Sequence, residues 1–265
     1  NKVIKDIESK KIQHEITNFE TIQKFDQLKL IKNDDSKISA FLTIQEGCDK
    51  FCKFCVVPYT RGTEYSRNFN EILNEADELI DNGAREITLL GQNVNAYKNN
   101  NKRLSDLIYA LEKRKKLLRI RYTTSHPKDM TSDLLEVYQN SAKLMPLLHL
   151  PVQSGSDKIL KSMNRKHNIK EYLDIINILK EKNPKIKFAS DFIIAYPGET
   201  DQDFEKTCEL MEKVKFINSY SFIFSSRPGT PAGSLKNIET KLAQKRLVIF
   251  QKIAEKIKLN YKQNL

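Results

Sequence analysis

The sequence predicts an α/β fold, a parallel sheet of six strand–helix units curled into an open or partial barrel. Three observations carry this. Short strand-like runs alternate with helix-period segments from residue 38 onward. Polar, turn-rich segments follow the strands: GQNVNAY, TSHP, VQSGS, AYPGET and SSRPGTP. Three of the four cysteines crowd into the loop after the first strand. A doubly wound sheet uses the same alternation, and periodicity does not separate the two topologies.

In chain order, Ile38, Ala40, Leu42 and Ile44 alternate with polar neighbours, which suits a strand over 38–45 with one buried face. The helical segment NEILNEADELIDNGA follows, and Gly83 marks its C-terminus. REITLLG is the second strand, followed by a helix near 103–116. LLRIRYTTS is the third, and its helix begins at the cap-like TSDLLEVY. LMPLLHLPV precedes a helix near 168–182, and IKFASDFIIAY precedes one near 201–215. NSYSFIF is the sixth strand, and a long helix starts at about Thr240.

At 265 residues the chain can bury a full core. It contains no apolar run of about 18 residues and no secretory signal, so the expectation is a soluble, cytoplasmic protein with no membrane partner. Disulfides are rare in that compartment, which points the cysteines toward metal or reactive roles. The charge balance is 45 basic to 34 acidic residues, net +11, a surplus that suits a polyanion-binding surface.

Cys48, Cys52 and Cys55 are spaced by three residues and then two, with no fourth cysteine nearby. Structural zinc normally takes four protein ligands, often as two pairs, and no second pair is present. Cys208 lies in an amphipathic helical segment and reads as a small buried residue; His14, His126, His149 and His167 are scattered and form no ligand pair. A four-iron cluster on three thiolates fits this loop better and leaves one iron open, as a catalytic metal requires. Zinc remains the alternative at this point.

Cys48-x3-Cys52-x2-Cys55, with Phe54 before the last cysteine, resembles the motif of radical S-adenosylmethionine (SAM) enzymes. That resemblance implies a partial (β/α)6 barrel of the radical SAM type. It also implies a [4Fe-4S] cluster whose open iron chelates S-adenosylmethionine and cleaves it to a 5′-deoxyadenosyl radical. EGCDKFCKFCVVPYTRG, LLGQNVNAY, TTSHP, LHLPVQSGS, DFIIAYPGET and SYSFIFSSRPGTPA resemble, in this order, the methylthiotransferases. CVVPYTRG and LLGQNVN are most similar to the MiaB-type branch, which acts on N6-isopentenyladenosine at position 37 of tRNA. The branches acting on threonylcarbamoyladenosine or a ribosomal protein are the alternatives. Ala195-Tyr196 departs from the Gly-Phe usual at that place.

The resemblance implies further roles. Phe54 offers its backbone to the adenine of SAM. Gln92 and Asn93 stand where the family contacts the methionine amino group, and Gln153, Ser154 and Asp191 where ribose or carboxylate is held. Arg61 and Arg227 are candidates to meet RNA phosphate. A second [4Fe-4S] cluster, carried in the family by an N-terminal domain, supplies the sulfur. Residues 1–33 therefore read as the end of such a domain plus a linker, and residues 34–265 as the radical SAM core, without the family's C-terminal RNA-binding β-barrel. The implied partners are a tRNA anticodon loop and a flavodoxin- or ferredoxin-type electron donor, acting on a monomer. Rival readings are a zinc-stabilised RNA-binding module and a radical enzyme acting on a protein or small metabolite.

Overall fold

A computed structural model describes residues 38–263. The expected domain end and linker at 1–33 lie outside the described residues. All six expected strands form. β1 (Ser39–Thr43), β2 (Glu86–Leu90) and β3 (Arg119–Tyr122) pair in parallel in that order. β4 (Leu147–His149), β5 (Lys187–Ile194) and β6 (Asn218–Ile223) do the same. The halves join just before β4, where Leu144 bridges Ile120 in parallel. There Ile120 N–H donates to the Lys143 carbonyl, and Met145 N–H to the Ile120 carbonyl, each at 2.9 Å. Strand order thus equals chain order. A doubly wound sheet must reverse order at a switch point, so the partial barrel is the observed topology.

Apart from a single turn at Val57–Thr60 in the cysteine loop, the helices among the described residues are α1 (Phe69–Asp81), α2 (Leu104–Glu112), α3 (Ser132–Asn140), α4 (Asp157–Ser162), α5 (Ile169–Lys182), α6 (Asp201–Val214) and α7 (Thr240–Gln263). The longer helices bury a stripe at helical spacing, such as Ile72, Ala76 and Ile80 on α1. Several starts are capped: Asn68 accepts from the Asn70 and Glu71 amides, and capping boxes pair Asn168 with Glu171 and Thr200 with Asp203, whereas the cap-like Thr131 makes no side-chain cap at α3. Helix stripes and one strand face make a single core that includes Leu42, Leu89, Ile120, Leu148, Phe192 and Ile194. Burying each such side chain contributes about 1.5–3 kcal/mol.

The opposite strand face mixes exposed aromatic side chains, Phe41, Tyr220 and Phe222, with a charged group. Glu86 accepts from Ser39 Oγ at 3.1 Å and pairs with Arg119 at 3.1 Å and Arg121 at 3.6 Å. No helix among the described residues is long and apolar enough to cross a membrane.

Several boundaries differ from expectation. The first strand stops at Thr43; Gln45–Glu46 turns into an antiparallel ladder with Tyr65–Ser66, and Ile38, expected on the buried face, is exposed. The helix expected to reach residue 116 ends at Glu112, because Arg114 folds back onto Asp77 (2.9 and 3.0 Å) and the Ala110 carbonyl. LMPLLHLPV yields only a three-residue strand, since Pro146 and Pro151 cannot donate to a ladder. Helix α4 was not anticipated; Ser156 caps it by accepting from the Ile159 amide, at 3.4 Å.

Candidate active site

The cysteine loop leaves the carboxyl end of β1, where α/β sheets of this kind place their ligands. It is pinned by backbone and amide groups. Gln45 Nε2 donates to the Glu46 and Gly47 carbonyls at 3.0 and 2.7 Å, while its Oε1 accepts from the Asn93 amide at 2.8 Å. Gln92 Oε1 accepts from the Gly47 amide at 2.7 Å. Two glutamines therefore stitch the start of the loop to the carboxyl end of β2. Asn93 Nδ2 donates to Glu64 at 3.0 Å and Asp129 at 2.8 Å, and Lys50 reaches Asp129 at 2.9 Å. Burial alone would lower the Lys50 ammonium, but Asp129 and Glu64 hold its pKa above the ordinary value.

The far end of the loop is braced by the segment after α4. Lys53 N–H donates to the Met163 carbonyl and its carbonyl accepts from the Ala232 amide, both at 2.9 Å. Asn164 Nδ2 donates to the Phe51 carbonyl at 2.8 Å. Between these anchors stand the three thiols. Cys55 N–H donates to the Cys52 carbonyl at 2.9 Å, Cys52 is buried, and Cys48 and Cys55 are half-buried. Burial pushes the Cys48 thiol up to about 11, with Glu64 and the other two thiols adding to the shift. Burial likewise raises Cys55, with Cys52 adding to it. Cys48, Cys52 and Cys55 thus lie on one loop that is anchored on both sides of Cys52.

The donor set suits a cluster better than a single ion. Among the described residues no group of three or more His, Cys, Asp or Glu side chains is arranged around one metal ion. Structural zinc takes four protein ligands, whereas three thiols on one loop would serve three irons of a four-iron cluster and leave the fourth open. Cys208 stands apart on α6, half-buried rather than fully buried, packed against the main core, its thiol raised to about 11 by burial and surrounding glutamates.

The remaining expected residues fall into two groups. Phe54 is half-buried against a small apolar cluster of Ile159, Met163, Tyr196, Phe224 and Ala232, beside the thiols. Asp191 on β5 pairs with His149 Nε2 at 2.9 Å. Gln153 extends the β4 pairing through Asp191 and Ile193 (both 3.0 Å), at a left-handed φ of 78°. Ser154 is different: it has no exposed surface, and its Oγ meets Thr207 Oγ1 on α6 at 3.3 Å. It packs the loop onto the helix layer. Arg61 pairs with Glu46 at 3.1 Å while half-exposed, and Arg227 lies in the exposed loop after β6.

Two features escaped sequence reasoning. His126 and His167, distant in sequence, stack edge-to-face with ring centroids 5.7 Å apart. Burial, reinforced by Arg165, lowers both, His167 to about 3, so each is neutral. The second is Arg165, whose Nη1 lies 3.5 Å from Cys52 Sγ. Only the short basic run in MNRKH could have hinted at it.

Comparison with known proteins adds three findings. Residues 42–211 match the model of the Radical SAM superfamily. The chain is 62% identical over 253 residues to the tRNA-2-methylthio-N(6)-dimethylallyladenosine synthase of Pelagibacter ubique (strain HTCC1062), covering 94% of this chain and 56% of that protein. It is 48% identical to the synthase of Ehrlichia chaffeensis (strain ATCC CRL-10679 / Arkansas), covering 98% of this chain and 60% of that one. The chain thus spans somewhat over half the length of the curated relatives it matches. Among solved structures, TsrM, a radical S-adenosylmethionine methyltransferase from Kitasatospora setae, superposes with a TM-score of 0.61 at 13% identity, over 73% of this chain and 38% of that one. Coproporphyrinogen III oxidase (HemN) from Escherichia coli gives 0.60 at 16%, over 87% and 56%. At such identities the likeness shows the fold.

Proposed function

The chain belongs to the radical SAM superfamily, and from that premise we propose that it is the catalytic core of a tRNA methylthiotransferase acting on carbon 2 of N6-isopentenyladenosine beside the anticodon. The observation that carries this reading is the thiol trio at the carboxyl end of β1, in a chain 62% identical to a tRNA-2-methylthio-N(6)-dimethylallyladenosine synthase. Cys48, Cys52 and Cys55 hold the cluster. With SAM bound at its open iron, that group supplies reductive cleavage of the sulfonium.

The chain's own residues set the geometry. Gln45, Gln92 and Asn93 fix the loop on β2, and the Phe54 backbone lies at the edge where an adenine can dock. The Asp191–His149 pair offers polar atoms on the barrel's inner face for ribose. Gln153 pairs with the backbone of Asp191 and Ile193 beside it. Arg61 and Arg227, on loops at the same end of the barrel, suit the phosphates of an anticodon loop. The electron comes from a flavodoxin- or ferredoxin-type donor, in the cytoplasm. The reading takes the protein as a monomer and residues 34–265 as the radical SAM core.

The chain has four cysteines, three in the loop and one on α6, so it contains no second trio for a sulfur-supplying cluster. Anaerobically reconstituted and reduced, it is expected to release 5′-deoxyadenosine from SAM slowly and to leave isopentenylated tRNA without a methylthio group. Mass spectrometry of nucleosides alongside a 5′-deoxyadenosine assay tests both halves. Methylthiolated adenosine formed by this chain alone contradicts the two-cluster reading; absence of 5′-deoxyadenosine contradicts the core assignment.

A further inference from the structure

Arg165 sits in an unusual electrostatic position. Its Nη1 approaches Cys52 Sγ at 3.5 Å, its Nη2 donates to the Pro151 carbonyl at 2.7 Å, and its Nε is buried with no partner. Among the described residues no carboxylate pairs with it. Arg165 is half-buried, and a partly desolvated guanidinium without a counter-charge is costly. Its positive charge also reaches Cys55, His126 and His167, and acts against protonation of both rings. The two histidines are neutral and leave three ring nitrogens unpartnered, so they offer Arg165 no negative charge. Cys52 Sγ, the sulfur 3.5 Å from Nη1, becomes anionic when it ligates the cluster.

Arg165 is held in place by its neighbours rather than by a flexible reach. Asn164, at a left-handed φ of 60°, is tied to Phe51, and Met163 to Lys53, so the segment carrying Arg165 is locked to the cysteine loop on both sides of Cys52. An exposed arginine such as Arg61, by contrast, already has Glu46 as its partner.

We propose that Arg165 is the positioning and charge-compensating residue of the cluster: it donates to the Cys52 sulfur, stabilises the more negative reduced state and so raises the cluster's reduction potential. This rests on the cluster assignment made above. Hydrogen bonds and charge at the ligand sulfurs are among the main determinants of such potentials. Because reduction adds one negative charge at a fixed site, a fixed cation nearby favours the reduced form.

The test is a redox titration of the reconstituted full chain, followed by paramagnetic resonance, with iron content measured in parallel. Arg165→Gln is expected to shift the midpoint to more negative potential at unchanged iron content. Arg165→Lys, which keeps the charge on a shorter single-pronged head, falls between. A midpoint in Arg165→Gln equal to that of the parent overturns the proposal. If that variant assembles no cluster, Arg165→Lys decides, and a midpoint at or above the parent's overturns it. Failure of the parent chain to assemble any iron–sulfur cluster instead refutes the cluster assignment itself.

Discussion

Gly47 stands at φ 76°, and a Cβ there would collide with the Thr63 backbone carbonyl. Both facts demand glycine at the entrance of the cysteine loop. Gly47→Ala is therefore expected to displace the Cys48 end of the loop and to lose most bound iron after reconstitution; retention of full iron content would refute the claim that this turn fixes the trio. Ala195 presents the reverse case. It is buried at φ 59°, a left-handed position where an L side chain is strained by about 1–2 kcal/mol. Glycine relieves that strain but loses about 0.5–1 kcal/mol through the unfolded chain. Ala195→Gly should raise stability by up to about 1 kcal/mol in a denaturant titration. A loss of stability would show that the Ala195 methyl contributes packing that outweighs its backbone strain.

At the scale of elements, Asp203 ties three segments together. It closes the capping box of α6 with Thr200, accepts from Ser156 Oγ at 2.6 Å at the start of α4, and pairs with Lys158 at 2.8 Å. Burial alone would raise its carboxyl, but these partners hold it well below the ordinary value of 3.8. A depressed carboxyl stabilises the fold above its unfolded pKa and loses that contribution as pH falls toward the folded one. Asp203→Ala should thus cost about 2–4 kcal/mol at pH 7. The gap between parent and variant should narrow below about pH 4; a gap that is independent of pH would contradict the ionised network. The elements themselves were largely legible. Alternation in Leu42 and Ile44, and helix spacing in Ile72, Ala76 and Ile80, announce their periods directly. The misses have local causes: Pro146 and Pro151 shorten β4, Arg114 folds back to end α2, and α4 has too few residues to show a period.

At the scale of the molecule, strand order decided between two topologies that share one sequence pattern, and only the Ile120–Leu144 bridge between the half-sheets reveals it. The cysteine trio was legible because its spacing lies within one loop. The roles of Gln92, Asn93 and Ser154 were less so, since a side chain at a strand end can serve the loop, the helix layer or a ligand equally well. His126, His167 and Arg165 meet only through tertiary folding, and no local pattern encodes such a meeting. The basic surplus, net +11, agrees with a polyanion substrate but does not identify one. The central claim is that Cys48, Cys52 and Cys55 alone hold a redox-active cluster with an open iron. Its most direct test is iron and zinc analysis of the anaerobically reconstituted chain, with paramagnetic resonance of the reduced protein before and after adding SAM. The account predicts about four irons per chain, a reduced-cluster signal that changes on adding SAM, loss of both in any of the three Cys→Ala variants, and retention in Cys208→Ala. A colourless protein containing zinc, or a cluster lost only with Cys208, would contradict it.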